Sequence, residues 1–249
     1  MSYLDLEGLT NYDTKIKAYI TEKTSGGGSV VGKYFVDASN LTAEEINAQL
    51  SEASEWAANS GCRADVCFVS SPLYSNMANI NWKSNCNYYL KYNASGQSMN
   101  LSNVTNAGFY FLNLNTVASE MIKLSYCSNL DFYNCSIINV MGSNLIENST
   151  NIYFENCKIK GGTYPNPTKC SCKISDVVPN TEHYIIFENC IFDYSSGSAW
   201  DTVIDGSGIT NSKCRITLIN CLNPSGSFIT AADITKGSGQ WYALTPSAL

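Results

Sequence analysis

From Phe109 onward one pattern of apolar and polar positions recurs: an apolar residue, any residue, an apolar residue, any residue, Asn, then Cys or Leu. An eighth, apolar position closes most copies. Five copies are visible. They are Phe109, Phe111, Asn113, Leu114; Leu130, Phe132, Asn134, Cys135, Ile137; Ile152, Phe154, Asn156, Cys157, Ile159; Ile185, Phe187, Asn189, Cys190, Phe192; and Ile216, Leu218, Asn220, Cys221. Within a copy the apolar phase runs with period two, as on one face of a strand, and then restarts one position early after the Asn. A straight strand cannot do that. An Asn in the left-handed region turns the chain through a corner and keeps both flanking strands facing the same interior. Asn113, Asn134, Asn156, Asn189 and Asn220 are therefore expected as a structural turn, with Cys135, Cys157, Cys190 and Cys221 as an interior column.

The Asn-to-Asn separations are 21, 22, 33 and 31 residues. A period in the low twenties is what one coil of a β-solenoid consumes. The two longer separations imply insertions on one side of the solenoid, at about residues 160–182 and 193–213, where loops commonly bind ligands. Strands upstream of Phe109, near residues 88–92 and 101–104, are expected to supply earlier coils.

Before the repeats the period changes. Lys33 to Ala38 alternates as a strand, and Thr42 followed by Glu45 is a capping box that opens a helix from Ala43 to about Asn59. Ile46, Leu50, Ala53, Trp56 and Ala57 form its apolar stripe, Ser60 and Gly61 end it, and Ala64 to Ser70 returns as a strand. At the start of the chain, Leu9, Tyr12, Ile16, Tyr19 and Ile20 follow helical spacing and predict a short helix that must pack on something to persist. Gly26 to Gly28 then form a linker. The expected organisation is residues 1–28 for that helix and linker, 29–235 for the β body, and 236–249 for a tail or cap.

Charge narrows the partners. The chain has 15 basic and 21 acidic residues, a net charge of -6. The basic residues form no cluster, which argues against nucleic acid. Polarity comes from 28 Asn together with Ser and Thr. The N-terminal residues lack the basic start and apolar run of a secretory signal, and no apolar run is long enough for membrane insertion. The eleven cysteines are accordingly expected as reduced, small, buried hydrophobes. Their spacing, with one histidine in the chain, predicts no metal site, and no cofactor motif is present.

The strand, capped helix, strand and repeats together resemble the right-handed, single-stranded parallel β-helix of the pectate-lyase-like superfamily, with the helix capping the first coil. The Gly-Asp-Gly run and the Pro-Gly-Tyr turn common in that family are missing. The opening YLDLEGLTNYDTKIKAYI resembles the start of phage and prophage tail or appendage proteins. These likenesses imply an all-β solenoid with an N-terminal attachment helix. They imply a virion protein made in the host cytoplasm that joins other virion proteins through that helix. The single apolar stripe of the helix and apolar residues at outward positions of the body, such as Tyr110 and Leu112, both need cover, so self-association as a trimer is expected.

Candidate chemistry is sparse. The polygalacturonase-like motifs are absent. Asp201 and Asp205 lie near Trp200 in the second insertion, and with Tyr164 and Tyr194 they form the predicted ligand-binding set, whose partner is a host surface polysaccharide. No catalytic residue is assigned, and His183 has no nucleophile that sequence places beside it. The reading is a non-enzymatic fibre, spike or decoration, and the alternative is a polysaccharide lyase or glycoside hydrolase on the same scaffold.

Overall fold

A computed structural model describes residues 35–37, 41–68, 79–94, 99–114, 122–139, 145–161, 170–193 and 202–245. The expected N-terminal helix, with Leu9, Tyr12, Ile16, Tyr19 and Ile20, lies outside them. The described chain is mostly β, with one α-helix, α1 (Ala43–Ser60). Thr42 accepts from the Glu45 N–H at 3.3 Å while its own N–H donates to the Glu45 carboxylate at 2.7 Å, so both halves of the capping box form. Gly61 ends the helix at φ 71°, where a side chain would be strained. Ile46, Leu50, Ala53 and Ala57 are buried, and Trp56 packs partly buried against the same core.

The larger sheet has twelve strands. Its main path is β1 (Phe35–Asp37), β2 (Ala64–Phe68), β3 (Cys86–Ala94), β5 (Thr105–Leu114), β7 (Ser128–Tyr133), β10 (Thr150–Glu155), β13 (His183–Glu188), β16 (Cys214–Ile219) and β18 (Gln240–Leu244). Beside it run β8 (Ser136–Asn139), β11 (Lys158–Gly161) and β14 (Ile191–Asp193). The smaller sheet holds β4 (Met99–Ser102), β6 (Ile122–Ser125), β9 (Ile146–Glu147), β12 (Cys172–Asp176), β15 (Ile204–Ile209) and β17 (Ile234–Thr235). The named strands pair in parallel, and each lies beside its counterpart from the preceding pass of the chain between the sheets.

Parallel in-register stacking puts like residues on top of one another. Tyr88, Phe109, Phe132, Phe154 and Phe187 form an interior column with successive ring centroids 5.0, 5.0, 4.7 and 4.9 Å apart and nearly parallel planes. All five are fully buried. Fully burying each such ring contributes about 1.5–3 kcal/mol.

The corner residues lie where the repeat predicts in four copies. Asn134, Asn156, Asn189 and Asn220 have φ of 54, 53, 52 and 53°. Each donates its backbone N–H to a carbonyl of the next pass, at Glu155, Glu188, Ile219 and Leu244, the first three of which immediately precede the next corner. The Asn220 side-chain amide donates a hydrogen bond to Asn189 Oδ1 at 3.3 Å.

The first copy is different. Phe109 pairs with Phe132 and Tyr110 with Tyr133, so Phe111, at φ 61°, occupies the corner. Asn113 is not a turn residue; it pairs with Ser136 beyond the corner. Leu112, an outward residue by the sequence phase, is fully buried in the place that Cys135 fills one pass later.

Cys135, Cys157, Cys190 and Cys221 are buried, and their thiols are free. Each donates to the carbonyl two residues earlier, at 3.3 to 3.4 Å, and to a carbonyl of the preceding pass. The Glu155, Glu188 and Ile219 carbonyls already accept a backbone N–H from the preceding corner, and the thiol adds a second, small donor to each. Ser149 does the same at another corner, donating to the Glu147 carbonyl at 2.9 Å and accepting from the Cys127 N–H at 3.0 Å.

The two expected insertions are not wholly loops. Each contains a strand of the smaller sheet, β12 in the first and β15 in the second. Gln240–Leu244, in the expected tail, pairs with β16 and extends the larger sheet.

Candidate functional site

Tyr164, Tyr194, Trp200 and Asp201 lie outside the described residues. Asp205 lies on β15, half-buried, and accepts from the Ser207 N–H at 2.9 Å. Its strand pairing puts it beside Lys173 on one side and Thr235 on the other.

The outer face of the larger sheet brings together polar groups that the sequence pattern did not single out. Tyr89, Tyr110 and Tyr133 stack with centroids 4.8 and 5.1 Å apart, and Tyr153 meets Tyr133 edge-on at 5.8 Å. Gly108 permits this, because a Cβ there would run into the Tyr110 ring and the Asn87 amide. Beside the stack, Arg63 reaches from the strand entry after α1 across several passes. It donates to Asn106 Oδ1 at 2.9 Å, Asn87 Oδ1 at 3.4 Å and the Asn129 carbonyl at 3.4 Å, and it pairs with Asp131 at 2.8 Å. Asn87 in turn donates to Asp65 Oδ1 at 3.0 Å, and the Tyr89 hydroxyl reaches the same oxygen at 3.4 Å.

Further along the face, Glu155 and Glu188 are direct neighbours in adjacent strands. Like charges at such positions repel. The Tyr153 hydroxyl stands between them, 2.6 Å from Glu188 and 3.1 Å from Glu155. Burial and these two carboxylate contacts push the Tyr153 phenol well above its ordinary range. Burial, followed by the charges of Asp131 and Glu155, raises Tyr133. Both phenols therefore stay neutral, and Tyr153 is the donor between the two carboxylates. A pair of carboxylates is the grouping that glycoside hydrolysis uses.

One sequence signal could have found this pair. The tetrapeptide Phe-Glu-Asn-Cys occurs twice, at 154–157 and 187–190, which places the two glutamates at the same point of successive passes. Arg63 and Asp131 carry no comparable signal, since their contact spans 68 residues and depends on how passes stack.

His183 is buried against Asp176, with Nδ1 2.7 Å from Oδ2. Burial, and after it the Asp176 carboxylate, push the nearby Cys214 thiol up. Histidine and thiol thus both lie beside Asp176, which is not the order of a nucleophile–histidine–carboxylate triad. Among the described residues, no group of three or more His, Cys, Asp or Glu side chains could hold a metal ion. Also among them, no helix is long and apolar enough to cross a membrane.

No protein-family model matches the chain, and no curated protein matches its sequence. Among solved structures, it is similar to a "putative glycosyl hydrolase" from Parabacteroides merdae, at 11% identity and a TM-score of 0.48. That alignment covers 80% of this chain and 99% of the other.

Proposed function

We propose that the chain is a right-handed parallel β-helix acting as a non-enzymatic structural protein of a phage-type virion: a fibre, spike or decoration. Its body would be made in the host cytoplasm and reach the virion through the helix at Leu9 to Ile20, where three copies associate. The segment around Trp200, Asp201 and Asp205, with Tyr164 and Tyr194, would contact host surface polysaccharide. The observation that supports a structural role is the outer face of the larger sheet. Arg63 spends its hydrogen bonds on Asn87, Asn106 and Asp131 of successive passes, a pattern that braces a stack.

A second reading, a glycoside hydrolase on the same scaffold, is favoured by the neighbouring Glu155 and Glu188 on one phenol. One experiment separates the two. The purified chain is incubated with host wall polysaccharide, polygalacturonate and alginate, and reducing ends and unsaturated uronates are followed. No release, with retention on immobilised wall polysaccharide that is lost on Asp205→Ala, supports the structural reading. Release abolished by Glu155→Gln or Glu188→Gln establishes the enzyme instead.

A further inference from the structure

The two ends of the larger sheet differ. At one end β1 is three residues long and carries Asp37, and α1 packs against β1, β2 and β3. The helix buries Ile46, Leu50, Ala53 and Ala57 and leaves Glu44, Glu45, Glu52 and Glu55 exposed. Short length, charge and a cover are the devices that keep a sheet edge from pairing with another chain. At the other end stands β18, which has none of them. Its sequence, QWYAL, holds no charge and no proline, and it follows β16 residue for residue without a bulge, from Arg215 beside Gln240 to Ile219 beside Leu244. Among the described residues no strand pairs with its far side.

Alternation along the strand fixes what that open side presents. The Leu244 carbonyl accepts from the Asn220 N–H at 2.9 Å, so Leu244, and with it Tyr242 and Gln240, turn their backbone groups toward β16. The N–H and C=O of Trp241 and Ala243 therefore point away from it. Trp241 and Ala243 continue the inward columns of Ile216 and Leu218, and Trp241 lies over Gly206 of β15, where a Cβ would run into its ring. Tyr242 is on the outer face and 46% exposed.

We propose that β18 pairs antiparallel with β18 of a second copy, joining two chains end to end through one continuous sheet. A two-fold axis at Tyr242 brings the whole strand into register with its mate. Trp241 then stands opposite the partner's Ala243, and each such pair exchanges both of its N–H···O=C bonds, which satisfies every open backbone group of these two residues on both copies. On the inner face a large indole meets a methyl group. On the outer face Tyr242 meets its own counterpart and Gln240 meets the partner's Leu244, so no like charges are brought together. The contact is self-complementary and closes at two copies. Stacking β18 on the β1 end of another copy would have to displace α1 and its buried residues, so the matching uncovered edge is that of a second β18. The contact uses no residue of the helix proposed at Leu9 to Ile20.

The test is the solution mass of the full chain by light scattering. Wild type is expected at about twice the mass of Ala243→Pro, which removes an outward N–H and leaves the bonds to β16 in place. Tyr242→Lys sets like charges face to face and should halve the mass too, which covers the case in which proline disturbs β18. Ile191→Lys, a change at an exposed apolar residue of β14, should keep the wild-type mass. Association of the N-terminal helices multiplies all these masses alike and leaves their ratio. In a Cys62→Ser background, Tyr242→Cys should form a disulfide-linked pair on adding a mild oxidant, because the axis sets that residue beside itself, whereas Gln240→Cys, which faces Leu244, should not. Equal masses for wild type, Ala243→Pro and Tyr242→Lys overturn the proposal, the result that a different occupant of this edge would give. Cross-linking of Gln240→Cys as fast as Tyr242→Cys overturns it as well.

Discussion

Phe111 and Asn134 occupy the same corner in successive passes, both left-handed, at φ 61° and 54°. Asn tolerates that conformation because its short amide bonds locally, whereas a residue such as Phe is strained there by about 1–2 kcal/mol. Asn156→Ala is therefore expected to lower stability by about 1 kcal/mol and Asn156→Gly by less. Phe111→Asn should move the other way. Urea midpoints at constant m-value would measure all three, and an unchanged midpoint for Asn156→Ala would count against strain at the corner.

The thiol column predicts a graded substitution series. Cys157→Ser keeps a donor for the Phe132 and Glu155 carbonyls, as Ser149 does for Glu147. Cys157→Ala removes it and leaves a small void, costing about 1–2 kcal/mol. Thermal or urea unfolding should rank wild type, Ser and then Ala. The reverse order would mean that packing alone selects cysteine.

Thiol reactivity follows from the same burial. Burial raises Cys86 and Cys170 to about 11, so almost no thiolate forms at neutral pH. Cys62 is exposed, and the nine cysteines from Cys86 to Cys221 are buried. In a native protein treated with a thiol-specific chromogenic reagent, Cys62 should react promptly and those nine only on unfolding. Mass mapping of prompt labelling at Cys157 or Cys190 would contradict the closed interior.

Arg63 ties one entry strand to residues of later passes by a planar, five-donor group. Arg63→Lys should cost about 1 kcal/mol and Arg63→Ala about 2, because a single ammonium cannot serve Asn106, Asn87 and Asp131 together. A double-mutant cycle with Asp131→Asn would isolate the ionic share. Zero coupling would reduce the contact to surface decoration.

Lys123 pairs with Glu147 at 2.7 Å and, mainly through that hydrogen bond, holds the Glu147 carboxyl below its ordinary value. A depressed carboxylate stabilises the fold above its unfolded pKa and loses that contribution as pH falls through the folded one. The pair is partly exposed, so the effect is a few tenths of a kcal/mol. Stability of the wild type should fall slightly more steeply than that of Glu147→Gln on acidification below about pH 5. Parallel curves would show that the pair contributes nothing.

Local chemistry was legible in the sequence wherever a few adjacent residues decide the outcome. Thr42, Glu45 and Gly61 fix the ends of α1, and the restart of apolar phase after Asn134, Asn156, Asn189 and Asn220 fixes the corners, because capping and left-handed turns are set by residues within a few positions. Stacking between passes is not local. The placement of Phe111 at a corner in place of Asn113 follows from Phe109 pairing with Phe132 and Tyr110 with Tyr133, a register chosen by burying rings and not by the Asn. The short strands β12 and β15 were hidden inside expected loops because their neighbours in the smaller sheet, not their own sequence, hold them. The meeting of Glu155, Glu188 and Tyr153, of Arg63 with Asp131, and of Asp176 with His183 and Cys214 was likewise decided in the tertiary structure, where parallel pairing brings together residues that the chain keeps far apart.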